Sequence, residues 1–345
     1  MGVNLTPLLI PDICRFPALA GKKLVVDGCN LLFHYINKIR NTENEILYNT
    51  NGDPVSHIIG LFYFCINLVE RRIRPIFVFD GYPPKEKRPK SPEKIQRLIK
   101  MWQLYNKQAE DHKQFFQQDP LFLYDKIIAD LQEFIRLMGI PVVRGLSEGE
   151  AQGARLIQDG KAAGLISDDQ DSLLFGCPKV YHHLAFKEEL CTVTSLEYQL
   201  DYHHISHRQL IDIALLIGTD YNQGIKGIGP KKALQLIQEH KQLENIPNFD
   251  ISFDIDRLRE LFLHPATIEA TPQFQAPNTK YLTYFLTQKG LNAHRIDRGL
   301  NRLRAAFKQL NYKQATLKVF IWINGRANDA SYSPLSDTFE THAYS

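Results

Sequence analysis

The sequence predicts an α/β domain with a mostly parallel sheet over about the first 200 residues, followed by a helical region. Short apolar segments alternate with amphipathic helical patterns up to that point, as in sheets whose strands are joined by helices. After about Asp201 the apolar periodicity is mainly helical. The chain has 345 residues, of which 44% are hydrophobic, so it can bury one large core or two closely packed ones.

Four short apolar segments predict buried strands. Each is a run of aliphatic or aromatic residues, as expected where both faces of a sheet are covered. In chain order they are KKLVVDG (22–28), RPIFVFDG (74–81), IPVV (140–143) and AGLIS (163–167). The first strand ends at Asp27 and the second at Asp80, so both place a carboxylate at the carboxyl end of a strand.

Amphipathic patterns predict helices between and after these strands. The segment 123–139 has one apolar face and ends at Gly139, and glycine is typical just beyond a helix. In the segment 147–160, Ser147 and Glu150 have the spacing of a capping box, with Ser147 as the N-cap. Further helices are predicted at 91–118, 207–218, 230–240 and 295–310.

Charge and cysteine content narrow the class of protein. The formal net charge is only +3, yet Lys85–Lys100 contains seven basic and two acidic residues. This concentration predicts contact with a polyanion, although a solvated helix face would have the same pattern. The five cysteines have no paired spacing, which argues against a disulfide framework or a zinc site and fits a reducing compartment. No membrane-spanning or signal segment is predicted.

Seven carboxylates are predicted to meet at one edge of the sheet. Four lie at or just beyond strand ends, two lie in the first turn of a helix, and one closes an apolar helix. Any one of them alone could be a helix cap. As a set they indicate a site, because ligands of open α/β sheets bind beyond the carboxyl ends of the strands. The residues are Asp27, Asp80, Glu148, Glu150, Asp169, Asp171 and Asp220.

This set of side chains indicates hard divalent cations. Oxygen ligands without histidine or cysteine suit Mg²⁺ or Mn²⁺, and the carboxylates outnumber what one ion needs. Two such ions can stabilise both the attacking and the leaving oxygen of a phosphoryl displacement. The sequence therefore predicts two Mg²⁺ ions, with Mn²⁺ as a substitute, and hydrolysis of a phosphodiester.

Six motifs, in their order and spacing, resemble the flap endonuclease family of structure-specific 5′ nucleases. They are MGVNLTPLL, VVDGCNLL, FVFDGYPP, SEGEAQ, SDDQDSLLFG and GTDYNQGIKGIGPKKAL, and they span nearly the whole chain. The resemblance implies a PIN-like nuclease core at 1–200 with a helical arch inserted at about 81–130. It also implies a helical DNA-binding region at 201–313, which contains a helix–two-turn–helix module at about 206–245.

The resemblance implies an intracellular 5′-flap endonuclease with 5′–3′ exonuclease activity on branched DNA. Its expected roles are in replication and repair, through Okazaki fragment processing and long-patch base excision repair. A monomer is expected, without a membrane segment or a small-molecule cofactor. It would be found in the cytoplasm or nucleoid of an archaeal cell, or in the nucleus of a eukaryotic one.

Two other functions remain open. One is a related nuclease of the same superfamily that is specialised for resection, bubbles or four-way junctions. The other is a non-catalytic DNA-binding scaffold built on a nuclease fold. The scaffold predicts that ligands have been lost, whereas all seven carboxylates are present.

The resemblance also assigns roles near the reaction. The family's metal ligands fall on the seven carboxylates, and Asp168 matches an acid that is not a principal ligand. Lys87 and Lys94 match basic residues of the arch that lie near the scissile phosphate, with Lys90 and Arg97 one helix turn either side of Lys94 as alternatives to it. Phe33 stands where many members have a tyrosine that stacks on the nucleotide beside the cut, and its ring can still stack.

The turn GIKGIGPKK resembles the part of the family module that contacts duplex DNA. Glycines allow backbone N–H groups to approach phosphates, and the start of a helix with basic residues adds positive charge. Turn glycines followed by a proline would alternatively be purely structural. The expected DNA contacts are Gly227, Gly229, Lys231 and Lys232, and the carbonyls expected to bind K⁺ are those of Gly224, Ile225 and Ile228.

The segment QATLKVFIW (314–322) matches the family's sliding-clamp-binding box except that Ile321 replaces the second aromatic residue. If the box is functional, a sliding clamp is a partner. The alternative is an ordinary strand, because the segment is rich in β-branched and aromatic residues. The polar tail at 323–345 is predicted to be disordered. The residues expected to contact the clamp are Gln314, Leu317, Phe320 and Ile321.

Overall fold

The computed structural model describes residues 2–39, 47, 49, 55–81, 120–247, 251 and 253–325. Most of the predicted arch, at 82–119, therefore lies outside the described residues. Within them, helices cover both faces of one sheet. None of the described helices has the length and apolar character needed to cross a membrane.

The described sheet has seven strands and is mostly parallel. Its spatial order is β1-β7-β6-β5-β2-β3-β4. Strands β6, β5, β2, β3 and β4 are parallel, whereas β7 is antiparallel to both β6 and β1. The predicted α/β class is thus confirmed, and the β6–β7 hairpin and β1 are additions. The strands are Asp12–Arg15 (β1), Lys23–Asp27 (β2), Arg74–Phe79 (β3), Val142–Arg144 (β4), Leu165–Ile166 (β5), Lys179–Ala185 (β6) and Leu190–Ser195 (β7).

Eleven α-helices are present among the described residues, in addition to short 3₁₀ helices at Phe16–Leu19 and Leu243–Asn245. They are Gly28–Lys38 (α1), Ser56–Glu70 (α2), Pro120–Leu137 (α3), Gly149–Gln158 (α4), Asp171–Leu174 (α5), Leu196–His203 (α6), His207–Ile217 (α7), Pro230–His240 (α8), Ile255–Leu263 (α9), Thr279–Gln288 (α10) and Ala293–Gly325 (α11).

The sheet separates two apolar cores. Side chains of a strand alternate between its faces, and β2 follows this rule: Leu24 and Val26 enter one core and Val25 enters the other. The first core contains residues of α1, α2, α3, α10 and α11. The second contains residues of α4, α5, α7, α8 and α9. The helical region therefore packs against the sheet on both faces, with α7 and α8 on the same face as α4.

One predicted helix start is wrong. Helix α4 begins at Gly149 after Glu148, and no side chain caps it, so Ser147 and Glu150 do not form a capping box. The carboxylate of Glu150 lies instead among other carboxylates. A capping box is present at α7, where Ser206 accepts from the Gln209 backbone and the Gln209 side chain bonds the Ser206 backbone.

The last described helix corrects two expectations at the C-terminus. Because α11 runs without a break to Gly325, a strand at 314–322 is wrong, and residues 323–325 are helical rather than disordered. The rest of the tail, 326–345, lies outside the described residues. The sequence explains the helix: Leu303, Phe307, Leu310, Leu317 and Ile321 recur at intervals that continue one helix face.

Candidate metal centre

Two carboxylates reach the same edge of the sheet from neighbouring strands. Asp27 is the last residue of β2, and Asp80 directly follows β3. Asp27 accepts hydrogen bonds from the Asn30 amide at 2.9 Å and the Ser167 hydroxyl at 2.9 Å. Asp80 Oδ1 accepts from the Gly149 amide at 2.8 Å. Since β2 and β3 are parallel neighbours, these bonds hold both carboxylates at one carboxyl edge.

Helix α4 adds two carboxylates to this edge. Glu148 precedes the helix and is 8% exposed, and Glu150 lies in the first turn. One oxygen from each of Asp80, Glu148 and Glu150 lies within 4.8 Å of the others. Glu148 Oε1 also accepts a hydrogen bond from the Tyr221 hydroxyl at 3.0 Å. A compact group of three carboxylate oxygens is suited to a hard divalent cation.

The loop after β5 positions two more carboxylates. The Asp169 amide donates to Ser167 Oγ at 3.1 Å, and the Asp171 amide donates to Asp169 Oδ1 at 3.0 Å. Asp171 Oδ1 accepts from the Val3 amide at 2.7 Å. The neighbouring Asp168, which was expected not to be a principal ligand, is exposed.

Burial and mutual repulsion act on the whole set. Burial raises the pKa of Asp27 to about 7, and Asp80 and Asp169 add to the rise. Burial, then Asp169 and Asp220, raise the pKa of Asp171 to about 8. The pKa of Glu150 is raised well above its usual range, first by burial and then by four other carboxylates, although its side chain is only partly shielded from solvent. The carboxylates that interact in this way are Asp27, Asp80, Glu148, Glu150, Asp169, Asp171 and Asp220. All seven predicted residues are thus brought together, in an arrangement that positive charge would stabilise.

The amino-terminal segment closes one side of this cluster. A Cβ atom on Gly2 would lie 2.3 Å from Asp169 Oδ1 and 2.4 Å from Asp171 Oδ1, so a larger residue there would displace these carboxylates. The Leu5 amide donates to Gln170 Oε1 at 2.6 Å, and the Gln170 side chain donates to the Thr6 hydroxyl at 2.6 Å. The segment is therefore fixed against the loop that carries Asp169 and Asp171.

Several residues of this site were not predicted individually. The Val3 amide, Ser167 and Tyr221 each bond a carboxylate of the cluster. All three lie inside the motifs MGVNLTPLL, SDDQDSLLFG and GTDYNQGIKGIGPKKAL, but only the acids of these motifs suggested chemistry. Ser167 and Tyr221 adjoin acids in the sequence, and this position was their one available signal, whereas the motif that contains Val3 has no acid.

Comparison with known proteins assigns the family. The XPG N-terminal domain matches residues 4–100 and the XPG I-region matches residues 139–220. The flap endonuclease 1 of Nanoarchaeum equitans is 35% identical over 340 residues, which cover 91% of this chain and 98% of that protein. The chain belongs to the flap endonuclease 1 family.

Solved structures agree with this family. The structure of flap endonuclease-1 from Methanococcus jannaschii has 28% sequence identity, covers 90% of this chain and 100% of its own, and has a TM-score of 0.74. The catalytic core of Rad2 in complex with DNA substrate covers 86% of this chain and 96% of its own. With 24% identity and a TM-score of 0.64, that likeness concerns the fold. The PIN-like α/β core expected for the flap endonuclease family is therefore confirmed.

The turn expected to contact DNA in this family joins α7 to α8. Gly227 has φ of +83°, and a Cβ atom there or at Gly229 would meet nothing within 4 Å. Lys231 and Lys232 are exposed in the first turn of α8, where Pro230 follows the N-cap. The turn therefore presents an open backbone and two basic side chains at a helix N-terminus, which is suited to phosphate.

The carbonyls expected to bind K⁺ lie in the same turn. The Ile225 amide donates to the Leu216 carbonyl at 2.8 Å, and the Ile228 amide donates to the Ile225 carbonyl at 3.0 Å. Gly224 packs against Ile217, where a Cβ atom would lie 2.0 Å from the carbonyl oxygen. These contacts fix the turn, and cation binding by Gly224, Ile225 and Ile228 stays a prediction.

The other predicted residues either lie outside the described residues or have side chains that are not described. Lys87 and Lys94 are outside the described residues. Phe33 lies in α1, the helix capped by Asp27, but its side chain is not described. The four residues expected to contact a clamp lie in the helical backbone of α11, and their side chains are likewise not described: Gln314, Leu317, Phe320 and Ile321.

Proposed function

We propose that this chain is a metal-dependent, structure-specific nuclease that cleaves branched DNA at 5′ flaps and also removes nucleotides from 5′ ends. The observation that carries the proposal is the group of Asp80, Glu148 and Glu150, which interacts with four further carboxylates, in a chain of the flap endonuclease 1 family. The expected biological roles are Okazaki fragment processing and long-patch base excision repair.

The residues of the cluster fit divalent cations. The donors are carboxylate oxygens, and burial together with mutual repulsion makes their charged forms costly without a cation. We expect two Mg²⁺ ions, with Mn²⁺ as a substitute, held among the seven carboxylates. Bound divalent cations supply positive charge for a phosphodiester and lower the pKa of water. The chain itself orients the carboxylates, through Ser167, Gly149 and the Val3 amide.

The proposed substrate is branched DNA. The turn between α7 and α8 supports binding of duplex DNA, with K⁺ as a further expected ligand. Lys87 and Lys94 are proposed to contact the scissile phosphate, and Phe33 to stack on the neighbouring base. The basic run that contains the two lysines provides the charge for such a contact.

The direct test is cleavage of end-labelled double-flap DNA in Mg²⁺ and in excess chelator. Cleavage at the flap base with Mg²⁺, and none with chelator, is the expected result. Bubble, four-way junction and blunt duplex DNA of the same sequence serve as matched substrates. Faster cleavage of the bubble or the junction would favour the related specialised nuclease, and no cleavage of any substrate would favour the scaffold.

Lys231→Ala should weaken binding of flap DNA and reduce its salt dependence. Each lost phosphate contact lowers the slope of log K against log salt by about 0.9 on duplex DNA. Fluorescence anisotropy at several salt concentrations, in chelator, measures the slope. Lys241→Ala, at the other end of the same helix, is the matched control. Equal slopes for both variants and the unaltered protein would remove Lys231 from the proposed interface.

A sliding clamp is the proposed protein partner. Residues 314, 317 and 321 recur at a spacing that places them on one face of a helix, and α11 is helical through this segment. Phe320→Ala is expected to abolish stimulation by the clamp of the same organism while clamp-free flap cleavage persists. Lys318→Ala is the matched control. If Phe320→Ala lowers clamp-free cleavage and the melting temperature together, the segment has a structural role instead.

A further inference from the structure

Tyr221 is a buried tyrosine that contacts the carboxylate cluster from the helical region. It directly follows Asp220, in the loop between α7 and α8, and is 8% exposed. Its hydroxyl donates to Glu148 Oε1 at 3.0 Å, across 73 positions of sequence. Its ring contacts Phe262 of α9 edge-on, with ring centroids 5.4 Å apart.

The loop that carries Tyr221 is internally bonded. Thr219 Oγ1 accepts from the Tyr221 amide at 3.0 Å and donates to Asn222 Oδ1 at 2.8 Å. The Asn222 side chain donates in turn to the Leu215 carbonyl in α7 at 2.7 Å. Thr219 is 5% and Asn222 is 3% exposed, so water competes little for these bonds. The backbone of Tyr221 is therefore fixed relative to α7.

The same loop leads directly into the turn expected to contact DNA. The Ile225 amide donates to the Leu216 carbonyl at the end of α7. Gly218 and Gly224 meet closely, since a Cβ atom on Gly218 would lie 2.6 Å from the Gly224 amide nitrogen. One short segment thus fixes Asp220, Tyr221 and the start of the turn to one another.

We propose that Tyr221 is a positioning residue for Glu148. A free glutamate side chain samples several rotamers, and repulsion from nearby carboxylates would favour those that point away. The hydroxyl of Tyr221 holds Oε1 in place, so that Glu148 stays within reach of Asp80 and Glu150 before a cation arrives. Asp220 comes from the same loop. The helical region therefore contributes one carboxylate to the site, Asp220, and orients a second one, Glu148. The inference rests on the proposed metal-dependent function: the kinetic test requires its activity, and the binding test requires only its metal binding.

The binding test uses Mn²⁺ and the full chain without DNA. Tyr221→Phe keeps the ring and its contact with Phe262, and removes only the donor. Calorimetric titration should show Mn²⁺ affinity lowered by about 10-fold or more, the range typical for loss of a partner that orients a metal ligand. Tyr181→Phe is the matched control, since Tyr181 is 3% exposed and its ring packs against Gly164 of the strand region. It should bind Mn²⁺ as the unaltered protein does.

The kinetic test compares Mg²⁺ dependence with DNA affinity. In Tyr221→Phe, the Mg²⁺ concentration for half-maximal single-turnover cleavage should rise by a similar factor. The affinity for flap DNA in chelator should not change. A double-mutant cycle that combines Tyr221→Phe with Glu148→Gln, measured by Mn²⁺ affinity, tests whether Tyr221 acts through Glu148. If it does, adding Tyr221→Phe to the Glu148→Gln variant should lower the Mn²⁺ affinity little further.

The possible results separate the two proposals. If the unaltered protein binds no Mn²⁺ and cleaves nothing, the proposed function fails. If it does both and Tyr221→Phe matches it in Mn²⁺ affinity and Mg²⁺ dependence, the positioning role is overturned. Fully additive losses of Mn²⁺ affinity in the double-mutant cycle would overturn the positioning role as well. A fall in melting temperature without a change in Mn²⁺ affinity would leave Tyr221 a packing residue and also refute the proposal.

Discussion

Asp171→Asn is expected to lower the single-turnover rate of flap cleavage by at least about 100-fold, since even residues that only orient metal ligands cost 10- to 100-fold when lost. Asparagine keeps the shape and an oxygen to accept from the Val3 amide, which bonds Asp171 at 2.7 Å. Folding should be retained or improved, because the substitution removes one charge from a mutually repelling buried set. Quenched-flow cleavage at saturating Mg²⁺ measures the rate, and anisotropy measures DNA binding, which should persist.

Asp168→Asn is the matched control for this experiment. It makes the same chemical change three positions earlier, at an exposed side chain, and should cleave at close to the unaltered rate. Equal losses in both variants would mean that general negative charge matters rather than ligand position. A normal rate in Asp171→Asn would exclude Asp171 from the metal centre.

Arg259→Met should lower the free energy of unfolding by about 3–5 kcal/mol, the cost typical of breaking a buried ion pair by removing one partner. Arg259 of α9 is 1% exposed and donates to both oxygens of the buried Asp212 in α7, at 2.6 and 2.8 Å. It also bonds Glu244, whose pKa it lowers to about 2. Without the guanidinium, Asp212 would be buried without its principal partner. Urea unfolding, followed by circular dichroism, measures the loss.

Two further variants separate charge burial from packing. Arg259→Met combined with Asp212→Leu should recover most of the stability, because replacing both members of a buried pair by apolar residues is often neutral or favourable. Arg208→Met removes an exposed arginine that lies 3.6 Å from Asp256 and should cost less than about 1 kcal/mol. If the double variant is as unstable as Arg259→Met alone, shape rather than the unpaired carboxylate dominates.

The sequence predicts the carboxylate cluster well because local pattern and topology coincide there. Asp27 and Asp80 end apolar runs that can only be buried strands, and parallel strands bring their carboxyl ends to one edge. Asp169 and Asp171 follow a third such run, Leu165–Ile166. For these residues, knowing that the strands exist is enough to know where the acids lie.

Such local patterns could not predict contacts between residues that are far apart in the sequence. The bond of Tyr221 to Glu148 joins residues 73 positions apart, and that of Val3 to Asp171 joins residues 168 apart. Nothing in the local sequence of either partner specifies the other. The false capping box has a related cause, because the spacing of Ser147 and Glu150 fits a helix start, while the tertiary environment directs Glu150 to the carboxylates.

Helix α11 shows how two local signals can conflict. The segment 314–322 is rich in β-branched and aromatic residues, and this composition favours a strand. Their spacing, however, continues the apolar face of the preceding helix turns, and the helix continues through them. Periodicity over several turns therefore outweighed the preference of single residues.

The close approach of Gly2 to Asp169 and Asp171 has a practical consequence for making the protein. A peptide fused ahead of Met1 would join the chain one residue before Gly2, beside the carboxylates where the proposed substrate would bind. An affinity tag or reporter at that end would compete with the substrate for space, and a short scar left after proteolytic removal would do the same. Purification handles and fluorophores belong at the other terminus, beyond the last described helix turn of α11.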